Sequence, residues 1–497
     1  MKAKKAVLLI SVLSFATALI YNEINLYFLR SEGIPLRNGQ TIITHDDDSY
    51  LDPAENYLQS STFRENFPGS GSYYLRPPGY SIFYLVFRVI GNKTSALVWL
   101  KLFQILFFAA SIYCLYWISF VYSKDHYVSS LICVIYGCTP LGSGFLYYTL
   151  TEGITPALMI FYAYFLFKAR LALNPFSKRL DYILACLIFS ILFITRPVLG
   201  IAVLAVPAYL IFDNRHKITL TRILLQLILY GMIALTPMVI WQVRNYIIAG
   251  HYVGLHPVYD PENNFVFRPA HKAVWELEKC WGSGGKDFHE SIMPAWMAAL
   301  QGDTSEKWID TMIANVPEYT VAYFGRNKLQ ASFRAYRNTM VYQKKFKDNK
   351  LPMPKEIPKT EQKVISDFNS MTKEFKISFP LQNYIISPLI TLKRMIFHSN
   401  LSFYMFQKTF RGNLLMEIIR WLFLIIHASA YILFGGSLLI KKISVEDMFF
   451  VLIPLIYIFY LAYFQRGVEE RYTLPILPFV ITGSMFVVRR CVKSIFC

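Results

Sequence analysis

Three adjacent carboxylates are the first residues in this chain that could do chemistry. The segment Thr44-His45-Asp46-Asp47-Asp48-Ser49-Tyr50 places Asp46, Asp47 and Asp48 side by side, just after the first long apolar run. Neighbouring carboxylates repel one another, so such a run needs a reason. A helix N-terminus is one, because acids complement the helix dipole there. Asp52-Pro53-Ala54-Glu55 has the form of such a start, with Asp52 as N-cap, Pro53 first and Glu55 third. That cap leaves Asp46, Asp47 and Asp48 unexplained. The chemical reading makes them a general base, or ligands for a divalent cation.

Further along the same loop stands Leu75-Arg76-Pro77-Pro78-Gly79-Tyr80. Its prolines and glycine build a rigid turn and hold Arg76 at its edge. A guanidinium suits phosphate because its donors form a fork. Four more groups sit at ends of apolar runs: Glu152 in Thr151-Glu152-Gly153, Arg196 in Thr195-Arg196-Pro197, Arg244 in Trp241-Gln242-Val243-Arg244-Asn245, and Arg471 in Arg471-Tyr472-Thr473-Leu474-Pro475. A single Arg there would be read as snorkelling to the interface. Several at one depth, opposite an acidic loop, predict paired groups facing a cavity. With Arg76 they would form a basic pocket for phosphate. Lys101 lies further inside a run and is read as a snorkelling residue.

Those groups must be positioned by membrane helices. The 497 residues are 55% hydrophobic and only 16% charged, against about 25% charged in a typical soluble domain. That balance excludes a disordered chain, a coiled coil and a collagen-like fibre. A membrane helix needs roughly 20 mostly apolar residues. About ten candidates run near Ala6–Phe28, Ala96–Tyr122, Tyr127–Tyr147, Gly153–Phe167, Tyr182–Ile194, Val198–Phe212, Ile223–Tyr246, Leu414–Ile440, Met448–Phe464 and Leu474–Val488. The fold class expected is an all-α polytopic membrane protein with a helical extracytoplasmic domain.

Charge placement orients it. Clusters at Lys2–Lys5, Lys168–Arg179, Arg215–Arg222, Lys441-Lys442 and Arg489–Lys493 fall on one face if there are ten spans. The positive-inside rule makes that face cytoplasmic. The division expected is a transmembrane catalytic module over residues 1–250 with an outer loop at 31–95, an extracytoplasmic loop domain at 251–412, and C-terminal membrane helices at 413–497. Within the loop domain, Ala270–Cys280 and Glu306–Phe324 read as helices and Phe379–Phe397 as an interfacial or re-entrant one. A signal peptide ending at Ala16-Thr17-Ala18 is the alternative for the N-terminus. The apolar run continues to Phe28 and favours a retained span.

Other chemistries are excluded by what the sequence lacks. There is no Walker motif, no GxGxxG after a strand and no GxSxG. The formal charge of +18 is spread over loops, which argues against nucleic acid. His251, His256, His271 and His289 have no metal-ligand spacing, and no metal site is assigned. Trp275, Trp281 and Trp296 are read as packing residues. Of the seven Cys, only Cys280 falls in an outer loop, so the expected topology excludes an intramolecular disulfide there.

Taken in order, the acidic motif, Arg-Pro-Pro-Gly-Tyr, Thr-Glu, Thr-Arg-Pro, Trp-x-x-Arg-Asn-Tyr and Arg-Tyr-x-x-Pro-x-x-Pro resemble the GT-C glycosyltransferases. The branch is that of dolichyl-phosphate-mannose protein mannosyltransferase-like enzymes and bacterial aminoarabinose lipid A transferases. The resemblance covers about residues 1–250 and 410–497. It implies transfer of a sugar from a polyprenyl-phosphate donor to a glycan, lipid or protein hydroxyl at the outer face of a bacterial inner membrane. By the same resemblance, Asp46 matches the first acidic position, upstream of a helix tyrosine that is here Tyr50, and Asp47 the second. Arg76 stands where the bacterial branch often has a Lys that contacts the donor phosphate. Glu152 matches an acid near the cavity, and Arg471 and Tyr472 a late motif near the donor head. The run of three aspartates departs from the usual pair and leaves the base open among Asp46, Asp47 and Asp48. The residues accommodate a divalent cation but require no cofactor. A transporter or flippase of a lipid-linked or anionic substrate is the competing reading. It would use the same basic cavity without an aligned acid.

Overall fold

The computed structural model describes residues 2–44, 46–214, 219–255, 268–282, 286–397, 413–439, 447–466 and 470–496. His45, Arg215, Lys217, His256, Lys441 and Lys442 lie outside them.

Helix starts follow the capping residues in the sequence. Helix α1 is Lys2–Ser31. Helices α2, Asp47–Ser60, and α3, Gly79–Ile90, come from the first loop. Asn92 caps α4, Lys93–Ser123, by accepting from the Ser95 amide. Asp125 caps α5, His126–Gly137, in the same way. After the four-residue α6, Pro140–Ser143, come α7, Thr155–Leu171, and α8, Pro175–Thr195, which Asn174 caps with Pro175 first. Then come α9, Ala205–Asn214, and α10, Leu220–Ala249.

Among the described residues, six helices are long and apolar enough to cross a membrane: Lys5–Ser31, Lys93–Ser123, Leu220–Ala249, Leu414–Gly435, Met448–Gln465 and Arg471–Val488. The other expected spans are shorter or interrupted. The run Tyr127–Tyr147 breaks after Gly137, because Pro140 lacks an N–H and its ring clashes with the carbonyl one turn back. The run Val198–Phe212 begins as the 3-10 segment Pro197–Leu204 and becomes α9. On α10, Leu224, Leu225, Ile228, Val239, Ile240 and Ile247 are exposed, an apolar surface suited to lipid. The chain is an all-α integral membrane protein.

Two apolar cores form. One runs through α1–α10 and the C-terminal helices. The second lies wholly within residues 270–375 and gathers Trp281, Trp296, Phe333, Tyr336 and Phe368. Trp275 packs against it, and His271 is buried there, bonded to the Tyr336 hydroxyl at 2.8 Å. The expected helix Ala270–Cys280 is Pro269–Trp281. The expected Glu306–Phe324 is two helices, Lys307–Ala314 and Glu318–Phe324, because Pro317 caps the second and ends any continuation of the first. The segment Phe379–Phe397 contains a π-helical turn, Gln382–Ile386, and the helix Ser387–Phe397.

Two expectations need correction. Helix α2 begins at Asp47, so its N-cap is Asp46 and not Asp52. Asp52 and Pro53 lie inside it, and the helix tolerates Pro53 within its second turn. Lys101 does not snorkel. It is 6% exposed, over the Tyr147 ring at 4.4 Å and bonded to the Gln40 side chain at 3.2 Å. The sequence offered no sign that Gln40 and Tyr147 would close over it.

Candidate active site

The first loop begins with a tight hairpin that sequence pattern did not single out. Strands β1, Leu36–Arg37, and β2, Thr41–Ile42, pair antiparallel around Asn38 and Gly39, both at positive φ. The Ile42 amide then donates to the Tyr147 carbonyl at 3.1 Å, tying this loop to the end of the interrupted α5–α6 segment. The hairpin presents Arg37 to α2. Arg37 Nε and Nη2 hold Asp47 at 2.8 and 3.0 Å, and Asp48 lies 2.6 Å from Nη2. Asp47 is fully buried in this pairing.

Asp46 takes a different direction. As the α2 N-cap it makes no side-chain cap bond. Its Oδ1 accepts from Arg76 Nη2 at 2.7 Å and its Oδ2 from Arg471 Nη2 at 3.0 Å. Arg76 lies over the Tyr50 ring at 5.3 Å, one turn into α2. Arg471 Nε is 3.6 Å from Glu152 Oε1. Arg196 Nη1 binds the same oxygen at 2.9 Å and the Thr151 hydroxyl at 3.0 Å. The Arg196 guanidinium stacks over the Tyr472 ring at 4.8 Å, and the Tyr472 carbonyl accepts from the Tyr457 hydroxyl.

The result is a chain of alternating charge: Arg76, Asp46, Arg471, Glu152, Arg196. Its members come from five loops or helix ends. Three cations against two anions leave one positive charge over, in a half-buried to buried setting where Coulomb interactions are strong. That suits an anion carrying more than one oxygen.

Glycine fixes the geometry at one point. A Cβ on Gly79 would lie 2.4 Å from Thr195 Oγ1 and 2.6 Å from its backbone nitrogen. The Arg-Pro-Pro-Gly turn therefore presses directly on the Thr-Arg-Pro segment. Gly79→Ala is expected to destabilise the fold by about 1–3 kcal/mol through overpacking against backbone. Thermal melting of the detergent-purified protein checks this. An unchanged melting temperature would show that the two segments part easily.

Arg244 is engaged elsewhere. It donates to the Tyr73 carbonyl at 2.7 Å and the Phe63 carbonyl at 2.9 Å, with its guanidinium over the Trp241 ring at 4.4 Å. No described contact joins it to the charge chain. It ties α10 to the segment between α2 and α3.

That segment carries a residue that sequence pattern did not flag. Glu65 is 5% exposed, hydrogen-bonded by the Ser49 hydroxyl and within the field of Arg76, Asp52 and Asp46. Burial pushes its carboxyl up to about 8, against the pull of Arg76 and Ser49. Burial and Asp48 likewise push Asp52 up to about 6. A lone Glu in a polar loop gives no sequence signal. In the folded chain Glu65 keeps its proton to about pH 8, whereas unfolded it loses it near 4.5. The folded state thus binds more protons between those values, and Glu65 lowers stability as pH rises through that window. One proton of difference gives a slope of up to about 1.4 kcal/mol for each pH step of one. Glu65→Gln is expected to flatten this slope, because an amide does not titrate. Melting from pH 5 to 8.5 reads it directly. Equal slopes in both proteins would show that Glu65 is ionised.

Among the described residues, no group of three or more His, Cys, Asp or Glu stands ready to hold a metal ion. No protein-family model matches this chain. No curated protein matches it. Two crystal structures of ArnT from Cupriavidus metallidurans are similar to it. The form bound to undecaprenyl phosphate shares 11% identity over 97% of this chain and 78% of that one, at a TM-score of 0.37. The apo form shares 12% over 95% and 77%, at 0.35.

Proposed function

We propose that this chain is a membrane glycosyltransferase that moves a sugar from a polyprenyl phosphate to an acceptor hydroxyl. The observation that carries the reading is the convergence of Arg76, Arg196 and Arg471 around Asp46 and Glu152. The motif order in the sequence, which resembles GT-C enzymes, supplies the substrate class.

In this reading the acceptor oxygen attacks the anomeric carbon as the bond to the phosphate oxygen breaks, with inversion. Asp46 takes the hydroxyl proton, a role typically contributing roughly 10²–10⁴-fold. The lipid phosphate leaves with one more negative charge, which Arg76 and Arg471 stabilise. Arg196 and Glu152 hold Arg471 and Tyr472 in place. Asp47 and Arg37 fix the start of α2, and Arg244 fixes the loop over it. The acceptor is a glycan, lipid or protein hydroxyl.

The site faces away from the cytoplasm. With native cysteines replaced, a Cys placed at Lys350 is expected to react with an impermeant maleimide in intact cells, and one at Lys178 only after lysis. Lysis-dependent labelling at 350 would invert the topology. The function itself is tested by mass spectrometry of envelope glycans from cells with and without the protein. Loss of one sugar modification, restored by the wild-type chain, is the expected result. An unchanged glycan and lipid profile would remove the reading.

A further inference from the structure

Asp46 holds both arginines that the phosphate reading needs. One guanidinium arrives from the turn before α3, the other from the late 3-10 segment Glu470–Ile476. They grip opposite oxygens of one carboxylate at 2.7 and 3.0 Å. Charge-assisted hydrogen bonds of this kind are short and strong. Both Asp46 oxygens are engaged in these bonds, so neither is turned to take a proton from a hydroxyl. Asp46 meanwhile forgoes the cap bond that its place at the α2 N-terminus offers. Another Arg76 nitrogen, Nε, is buried without a hydrogen-bond partner.

We infer that Asp46 and the donor phosphate are competing anions for one seat formed by Arg76 and Arg471. This rests on reading the site as a donor-phosphate site, and it adds the order of events. A phosphate brings two unesterified oxygens to two forks, so the arginines can change partner while remaining paired. The exchange keeps each guanidinium neutralised, which avoids leaving a buried charge alone. Once released from the arginines, the Asp46 carboxylate can turn to the acceptor hydroxyl beside the sugar. The base is therefore switched on by the donor, and the acceptor is deprotonated only after the donor is seated. Asp46 thus has two separable roles, and they push binding and turnover in opposite directions.

The test uses the full-length protein in detergent and calorimetry with farnesyl phosphate. Farnesol serves as the control lacking phosphate. Inorganic phosphate and short-chain phosphatidylglycerol run beside it as other phosphate sources. Asp46→Asn keeps the shape and removes the competing charge. It is expected to bind farnesyl phosphate roughly 5–150-fold more tightly than the wild type, the usual span of coupling between two ligands. Arg76→Ala and Arg471→Ala are expected to weaken binding in both backgrounds, and farnesol binding is expected not to change. Asp46→Ser, equally uncharged, is a second variant should the first fail to fold, with melting curves confirming the fold of each. A gain shared by inorganic phosphate or the phospholipid supports competition at a general phosphate seat. A gain confined to farnesyl phosphate supports it for a polyprenyl head. Equal or weaker binding by Asp46→Asn, with the arginine variants still impaired, overturns the competition while leaving the donor-phosphate reading intact. Farnesyl phosphate binding no better than farnesol in every variant overturns both.

Discussion

Asp46→Asn is expected to lower sugar transfer by roughly 10²–10⁴-fold while leaving the folded yield unchanged. Asn preserves size and can still accept a hydrogen bond from Arg76 or Arg471, but it cannot take a proton. The neighbouring acids separate this from a general charge effect. Asp47 is fully buried against Arg37. In its Asn variant Arg37 keeps Asp48 as a partner, so the expected loss is in folded protein, of about 1–3 kcal/mol, rather than in turnover per folded molecule. Asp52 lies inside α2, away from the charge chain, and Asp52→Asn is expected to be mild. Transfer rates normalised to folded protein decide among them. Full activity of Asp46→Asn, or a dead but well-folded Asp47→Asn, would move the base.

Arg76→Ala is expected to cost roughly 10²–10³-fold in transfer, the usual effect of removing one group that stabilises developing charge. Arg76→Lys keeps the charge and loses the fork, so part of the activity should remain. Arg471→Ala should fall in the same range. Both arginines grip the same carboxylate, so the double variant is expected to be less impaired than the product of the two single losses. Independent losses that multiply would place the two arginines at separate tasks. Arg244→Ala is the contrast, since Arg244 holds two backbone carbonyls. Its expected defect is a lower melting temperature, with a smaller effect on transfer by the protein that folds.

Much of the site was legible because each member is an ionisable residue where the sequence had no other need for one. Glu152, Arg196 and Arg471 end apolar runs, Asp46 and Arg76 stand in the first loop, and the structure brings these five together. Their pairing was not legible. It depends on how loops distant in sequence close on one another, as Gly79 does on Thr195. The same closure diverted Arg244 to backbone carbonyls and buried Glu65. Pattern alone gave Asp52-Pro53 the look of a helix start, yet the N-cap is Asp46, six residues earlier, where it is drawn to two arginines. The longer spans were legible from uninterrupted apolar length. The run around Pro140 was not, because hydropathy registers composition and not the missing N–H. Lys101 was misread for a related reason: its partners, Gln40 and Tyr147, sit in segments that carry no local mark of proximity.

The proposed reaction breaks the bond between a sugar and a lipid phosphate. The most direct measurement incubates the purified protein with a synthetic polyprenyl-phosphate sugar and a cell-envelope acceptor fraction, and quantifies both products. Free polyprenyl phosphate and glycosylated acceptor are expected in equal amounts with the wild type, and neither with Asp46→Asn. Donor left intact by the wild type, or carried across a vesicle membrane without cleavage, would contradict it.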